Sequence, residues 1–475
     1  MMDRSTVILS LAEARPPIQA ARPHRGFALR GVVATGLALS VAMMPTSASA
    51  AGLIRDAEIE GLLRDYANPI FRVAGLNPGS VEVNIIGARS INAYVSGGQR
   101  VFIHTGLITE AETPNQVIGV LAHETGHIAG AHLARMRGQI DRAQTASIVA
   151  MLLGAAAVAG GAAAGARNVG AAGQGIVLGG QSLAQRTLLS YQRAQEAAAD
   201  QAALSYLTAT KQSGQGMIDL FDKLANQAVV SLRYADPYVL SHPMPRDRVR
   251  LLETMAAKSK YFGQTDSPAL LRRHRMAQAK LHGFLEAPST VYRRYPKSDT
   301  SLPARYARAI AAYRQADTRQ ALSSMEQMIR EQPDNPYFWE LKGQTLFEGG
   351  MVREAVAPLR KAVALAPNSG LIRILLAQAQ LASENAGLTN GALENLRMAA
   401  RTEPRSVTLH QQFAIAYARK GDLGRADLSS AEAAFIKGDL DLAKQRAKRA
   451  MAQLRKGTPA WIKANDIVEF KPPKS

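Results

Sequence analysis

Residues 123–127 read His-Glu-Thr-Gly-His, the spacing H-E-x-x-H. On an α-helix, positions four apart are rotated by only about 40°, so His123 and His127 turn both imidazoles to one side. Two neutral imidazoles suit Zn²⁺, and Glu124 projects beside them as a base for a water activated by the metal. The chain has no cysteine, which removes thiolate ligands and thiol nucleophiles and leaves any metal to histidine and carboxylates. For so short a motif, the bland alternative is two histidines and a glutamate on a solvated helix face. A catalytic zinc takes three protein ligands and keeps a fourth position open. His132 lies about 140° round from His127 on a continuous helix, which places it behind the ligands or in solvent. Glu196 is the better third ligand. With Asp200 it forms an i,i+4 carboxylate pair in Gln195-Glu196-Ala-Ala-Ala-Asp200. One carboxylate of such a pair can ligate while the other orients a ligating imidazole through its free N–H. An acidic pair is ordinarily solvated surface; the alanine-rich setting argues against that.

These residues need elements to hold them. Residues 53–76 carry helical periodicity (Ile54, Ile59, Leu62, Leu63, Tyr66, Ile70, Phe71). Val81, Val83 and Ile85 then alternate with polar residues, as in a strand. Residues 91–95 and 100–104 flank Ser96-Gly97-Gly98-Gln99, a hairpin signal. Pro114 and Asn115 open a helix expected over 116–137, with further helices over 186–209, 216–234 and 247–258. The strand ending just before the catalytic helix, with Asn92, Ala93 and Tyr94, is expected to offer an edge to an extended peptide. Residues 146–165 carry no charge and are long enough to span a bilayer. A single crossing would separate His123 and His127 from Glu196, which leaves none or two; a second would have to use residues 170–184, a short stretch holding Gln174 and Gln181, so a packed helical hairpin over the site is expected, open to contact with a membrane interface.

From about residue 302 the chain repeats. Pro333 and Pro367 are 34 residues apart, and Trp339, Gly343, Phe347, Ala355, Leu359 and Ala362 between them follow the tetratricopeptide pattern. Ala309 and Ala321 fall in register one unit earlier. At the other end, Arg15, Arg22, Arg25 and Arg30 precede an apolar run, Gly31 to Met44, and Ala48-x-Ala50 fits a secretory cleavage site. The expected organisation is a signal peptide over 1–50, a metalloprotease domain over 51–260, a helical connector over 261–301, repeats over 302–456 and a tail over 457–475. The net charge of +19 follows these parts. Residues 1–50 hold 5 basic against 2 acidic residues, 51–250 hold 17 against 15, and 251–475 hold 35 against 21. No aromatic platform or nucleic-acid motif accompanies the basic half, so no nucleic-acid partner is expected.

H-E-x-x-H, then E-x-x-x-D about seventy residues on, then His242-Pro-x-x-x-x-Arg248, resembles the HtpX/CAAX prenyl protease superfamily of zinc metallopeptidases. The signal peptide and repeats make it similar to the periplasmic branch that serves outer-membrane β-barrel assembly. The resemblance implies an α+β zincin-like domain, mostly helical with a small sheet, followed by an all-α repeat solenoid. It implies one Zn²⁺ per subunit, held by His123, His127 and Glu196, with Glu124 catalytic and Asp200 supporting. In that branch the His of the His-Pro motif, here His242, can approach the metal and oppose substrate access, and Arg248 matches the motif's arginine. The implied function is a periplasmic zinc endopeptidase that degrades outer-membrane proteins or promotes their assembly. Implied partners are unfolded or misassembled outer-membrane proteins and the β-barrel assembly machinery. The alternative is a chaperone or scaffold in which proteolysis is secondary.

Overall fold

The computed structural model describes residues 6–8, 52–163, 169–230, 238, 242–243 and 246–472. Apart from Thr6–Ile8, the expected signal peptide lies outside the described residues. The sheet has five strands: β1 (Thr6–Ile8), β2 (Leu53–Arg55), β3 (Glu82–Ile86), β4 (Ala93–Ser96) and β5 (Arg100–His104), in the order β1-β2-β3-β5-β4. β3 and β5 run parallel and β4 returns antiparallel to β5, with Ala93 opposite Ile103 and Ser96 opposite Arg100. Gly97 and Gly98 both sit at positive φ and close this hairpin. Among the described residues, β4 is therefore an edge strand.

Helix α1 (Ala57–Val73) covers the sheet. Its apolar stripe, Ile59, Leu62, Leu63, Tyr66, Ile70 and Phe71, is buried with Val101 and Ile103 of β5 and Val117 and Leu121 of the next long helix. The stripe was legible, but its start was not. Leu53–Arg55 is a strand, because it pairs with β1 along its length and Leu53 and Ile54 pair with β3, and Asp56 then caps α1 by accepting from the N–H groups of Glu58 and Ile59.

After α2 (Thr105–Glu110) comes the motif helix α3 (Pro114–Ala129). The continuous helix expected to Arg137 does not form. The chain turns at Gly130–Ala131, where Ala131 takes φ 49°, and restarts as α4 (His132–Ala163). α4 pairs with α5 (Val169–Ala209), and α6 (Gln215–Val230) and α7 (Arg246–Ala256) complete the domain. The expected hairpin forms, but its described apolar side chains are not all packed against the domain. Ile148, Met151, Leu152 and Leu153 are exposed along it.

α8 (Pro268–Leu285) serves two cores. Ala277 and Leu281 pack into the first domain, while Met276 and Phe284 pack into the repeats. A short α9 (Pro288–Arg294) leads into five helix pairs: α10 (Leu302–Arg314) with α11 (Thr318–Glu331), α12 (Pro336–Glu348) with α13 (Val352–Leu365), α14 (Gly370–Ala382) with α15 (Thr389–Ala399), α16 (Val407–Arg419) with α17 (Leu423–Lys437), and α18 (Leu440–Gln453) with α19 (Pro459–Glu469). Ala309, Ala321, Ala355 and Ala362 are fully buried where helices cross, the role small residues play in this repeat. The expected tail is mostly helix: α19 buries Ala464 and Ile467 against α17 and α18. The domains lock through β2 and α1. Arg55 binds Glu60 and Glu403, and Lys280 of α8 is buried against Asp56 (2.8 Å), Glu58 (3.3 Å) and Glu340 of α12 (3.9 Å).

Candidate metal centre

α3 is buried on nearly every side, so His123, Glu124 and Thr125 are carried into the domain interior. α5 reaches this helix closely because position 126 is glycine. A Cβ there would stand 2.9 Å from the backbone oxygen of Ala199. That approach sets Glu196 and Asp200 beside the motif. His123, His127, Glu196 and His242 each offer a donor atom, and these atoms all lie within 4.8 Å of one another. The Nε2 atoms of His123 and His127 are 3.0 Å apart. Glu196 Oε2 is 3.4 Å from His123 Nε2, and its Oε1 is 3.5 Å from His127 Nε2. His242 Nδ1 sits 2.9 Å from Glu196 Oε2 and 3.3 Å from His123 Nε2. Lone pairs aimed at one another this closely need a proton or a cation among them.

The surroundings hold these donors in place. Asp200 Oδ1 lies 2.9 Å from His123 Nδ1, leaving Nε2 to face the group. Arg248 grips Asp200 with Nε (2.6 Å) and Nη2 (2.8 Å), and its Nη1 is 3.0 Å from Glu196 Oε2. Glu124 Oε1 is buried without a hydrogen-bond partner, 3.5 Å from His242 Nε2. The ring of His242 thus separates Glu124 from Glu196.

The electrostatics follow from this crowding. Burial works to lower the pKa of His123, but contacts with Asp200 and Glu196 prevail and raise it to about 9. Burial and the neighbouring His123 push His127 down to about 2. Glu196 is buried, which raises a carboxyl, yet His123 and His242 hold it far below the carboxylate range. Asp200, also buried, is held low by Arg248 and His123. Burial raises Glu124 against the pull of His242 and His123.

All seven residues expected from the motifs around this centre are brought together. Asn92, Ala93 and Tyr94 lie on or next to the edge strand β4, which runs alongside α3. Asn92 is buried with its side-chain oxygen unpartnered. His132 is found behind the ligands, one of its two expected places, and three further residues, Gln195, Phe221 and Tyr238, were missed. His132 Nδ1 stands 3.0 Å from His127 Nδ1, because the turn at Gly130 resets the helical phase. Gln195 donates to the backbone oxygen of His132 at 3.2 Å and ties α4 to α5. The rings of Phe221 and Tyr238 pack 5.8 and 6.4 Å from that of His123. Gly130 signalled the helix end. Tyr238, four residues before His242, repeats the i,i+4 spacing and its backbone oxygen accepts from His242 N–H.

Residues 54–256 match the Peptidase family M48 description. The chain carries a peptidase family M48 domain. Residues 306–370 match a tetratricopeptide repeat, so the M48 domain precedes repeats, the order read from the sequence. Among relatives, a putative beta-barrel assembly-enhancing protease of Vibrio cholerae is 27% identical over 53% of this chain and 51% of its own length. The beta-barrel assembly-enhancing protease of Yersinia pestis is 24% identical over 84% of this chain and 81% of its own. That of Escherichia coli K12 is 24% identical over 62% and 60%. The chain thus spans about half of the Vibrio relative and three-fifths of the Escherichia one.

Proposed function

We propose that the chain is a zinc-dependent endopeptidase of the periplasm that acts on unfolded or misassembled outer-membrane β-barrel proteins. The reading rests on one observation: three histidines and Glu196 converge their donor atoms while Glu124 stands buried beside them. The donor set suits zinc, since it has imidazole and carboxylate donors and no cysteine. The names of the extended relatives support the substrate class. The repeats, joined to the M48 domain through α8, supply a helical surface for substrate or for the β-barrel assembly machinery.

His123, His127 and Glu196 would hold the ion, and His242 would be a fourth donor that a substrate must displace. When bound, zinc supplies Lewis acidity toward a scissile carbonyl and lowers the pKa of a water. Asp200 and His132 fix the tautomers of His123 and His127 from behind, and Arg248 anchors Asp200. Glu124 takes the proton of the attacking water and passes it to the leaving amine. The edge of β4, with Asn92, Ala93 and Tyr94, pairs the substrate backbone as an added strand.

The test is zinc analysis together with cleavage of an unfolded outer-membrane protein by the purified chain. Glu124→Gln is expected to keep zinc and lose cleavage. Cleavage surviving in a protease-free Glu124→Gln preparation overturns the reading. His242→Ala is expected to raise cleavage of peptides by opening the fourth position. Rescue of a deletion strain by Glu124→Gln would move the main function to a chaperone or scaffold.

A further inference from the structure

The α4–α5 hairpin rises directly from the metal centre, with His132 at the base of one arm and Glu196 toward the base of the other. Its two arms pack on each other, and Ala150 and Gly154 on α4 are buried. The opposite side is apolar and bare. Leu152 is 65% exposed, Leu178 63%, Ile148 and Leu153 58% each, and Met151 54%. With Val149, the residues on α4 cover roughly 200° of the helix circumference. Charge is equally one-sided. Between Asp141 and Glu196 the chain has no acidic residue, and its charged residues there are Arg142, Arg167, Arg186 and Arg193. Among the described residues, no helix is long and apolar enough to cross a membrane.

We propose that this hairpin docks the protein on an anionic phospholipid surface. Leu152 and its neighbours enter the acyl boundary, and Arg142 and Arg186 meet headgroup phosphates. A polypeptide partner would bring backbone N–H and C=O groups that need pairing. The exposed Ile, Val, Met and Leu side chains provide no such partners, whereas acyl chains require none. Apolar area combined with arginines and no acid is the pattern of interfacial anchoring. Leu189, also exposed, is seven residues before Glu196, about 10 Å along α5. Docking therefore holds the metal centre close above the membrane surface. The proposal needs neither metal nor proteolysis.

The absence of cysteine allows a clean test. Leu152→Cys in the full chain is labelled with an environment-sensitive dye and mixed with vesicles of phosphatidylglycerol and phosphatidylcholine. The expected result is a blue shift and brighter emission, absent with phosphatidylcholine alone. The same dye at Ile462→Cys, an exposed position on α19, is expected to stay unchanged. Leu152→Glu with Leu153→Glu is expected to lower the dye-free protein's vesicle partition roughly tenfold or more. Thermal melting should not change, since both positions are exposed; the dye readout stands even if it does. A dye at residue 152 that remains in water with anionic vesicles overturns the proposal. So does an equal response to an unfolded polypeptide without lipid, which would assign the surface to a protein partner.

Discussion

Two buried ionic clusters occupy this molecule, and they are built on opposite plans. At the metal centre, donor atoms of His123, His127, Glu196 and His242 converge within 4.8 Å. At the domain junction, Asp56, Glu58 and Glu340 gather around Lys280, which supplies its own cation. Burial opposes the charge on Lys280, but Asp56, Tyr306, Glu58 and Glu340 raise its pKa well above the ordinary value. Tyr306 donates to Glu58 at 2.9 Å and completes that cluster. The junction closes its carboxylates around a lysine. The metal centre has a cation as well, Arg248, but it grips Asp200 and Glu196 from one side and leaves the donor atoms of the three histidines and Glu196 facing one another. A cluster closed around a side-chain cation serves to hold parts together, whereas one whose donor atoms still converge is arranged to take a further cation from outside.

Breaking the two clusters should therefore have separate consequences. Glu124→Gln should reduce peptide cleavage by about 10²–10⁴-fold, the usual contribution of a general base, with zinc content and melting unchanged. Chelation should remove both cleavage and some stability, since an ion that binds only the folded chain raises its melting point. Added zinc should restore both, as read by activity and melting on one sample. Lys280→Met should do the reverse. It strands buried carboxylates and should cost about 3–5 kcal/mol in denaturant unfolding, while the surviving folded protein keeps its zinc. A Lys280→Met protein that unfolds like the parent would show that the junction is solvated.

The two plans were unequally legible in the sequence. H-E-x-x-H and E-x-x-x-D are local spacings, and a helix turns each into one face whatever surrounds it. The repeat units were legible for the same reason, because each contacts only its neighbours. The junction has no local signature. Asp56, Lys280 and Glu340 come from three segments more than fifty residues apart, and each alone reads as an ordinary surface charge. His132 does stand behind the ligands, one of its two expected places, but the continuous helix used to reach that reading is broken by a turn at Gly130–Ala131. Leu53–Arg55 was read as helix because three residues cannot establish a strand period, and pairing with β1 and β3 makes them one.

A smaller effect separates the junction's own members. Burial pushes the Glu340 carboxyl up to about 7, against the pull of Lys280. A folded pKa above the unfolded one means that its ionisation weakens the fold. The contribution is intact below about pH 4.5 and is lost as pH rises through 7. Glu340→Gln removes that loss. The variant should therefore gain stability relative to the parent between pH 5 and pH 8, by at most about 3 kcal/mol. Paired urea titrations at the two pH values measure it, and a difference that stays constant or shrinks with pH refutes the assignment.

The smallest effect tests whether burial or geometry makes these clusters matter. Arg273 and Asp65 join α8 to α1, the same two helices that Lys280 joins. Their 2.6 Å contact is as short as that between Arg248 and Asp200 in the metal centre. Arg273 and Asp65 are 50% and 56% exposed, however, where Arg248 and Asp200 are 10% and 5%. Water and salt screen the exposed pair, and two long side chains lose freedom to make it. Arg273→Ala should therefore cost no more than about 1 kcal/mol, and less at high salt. A loss near that of Lys280→Met would show that the α1–α8 seam is held by its rim as firmly as by its buried cation.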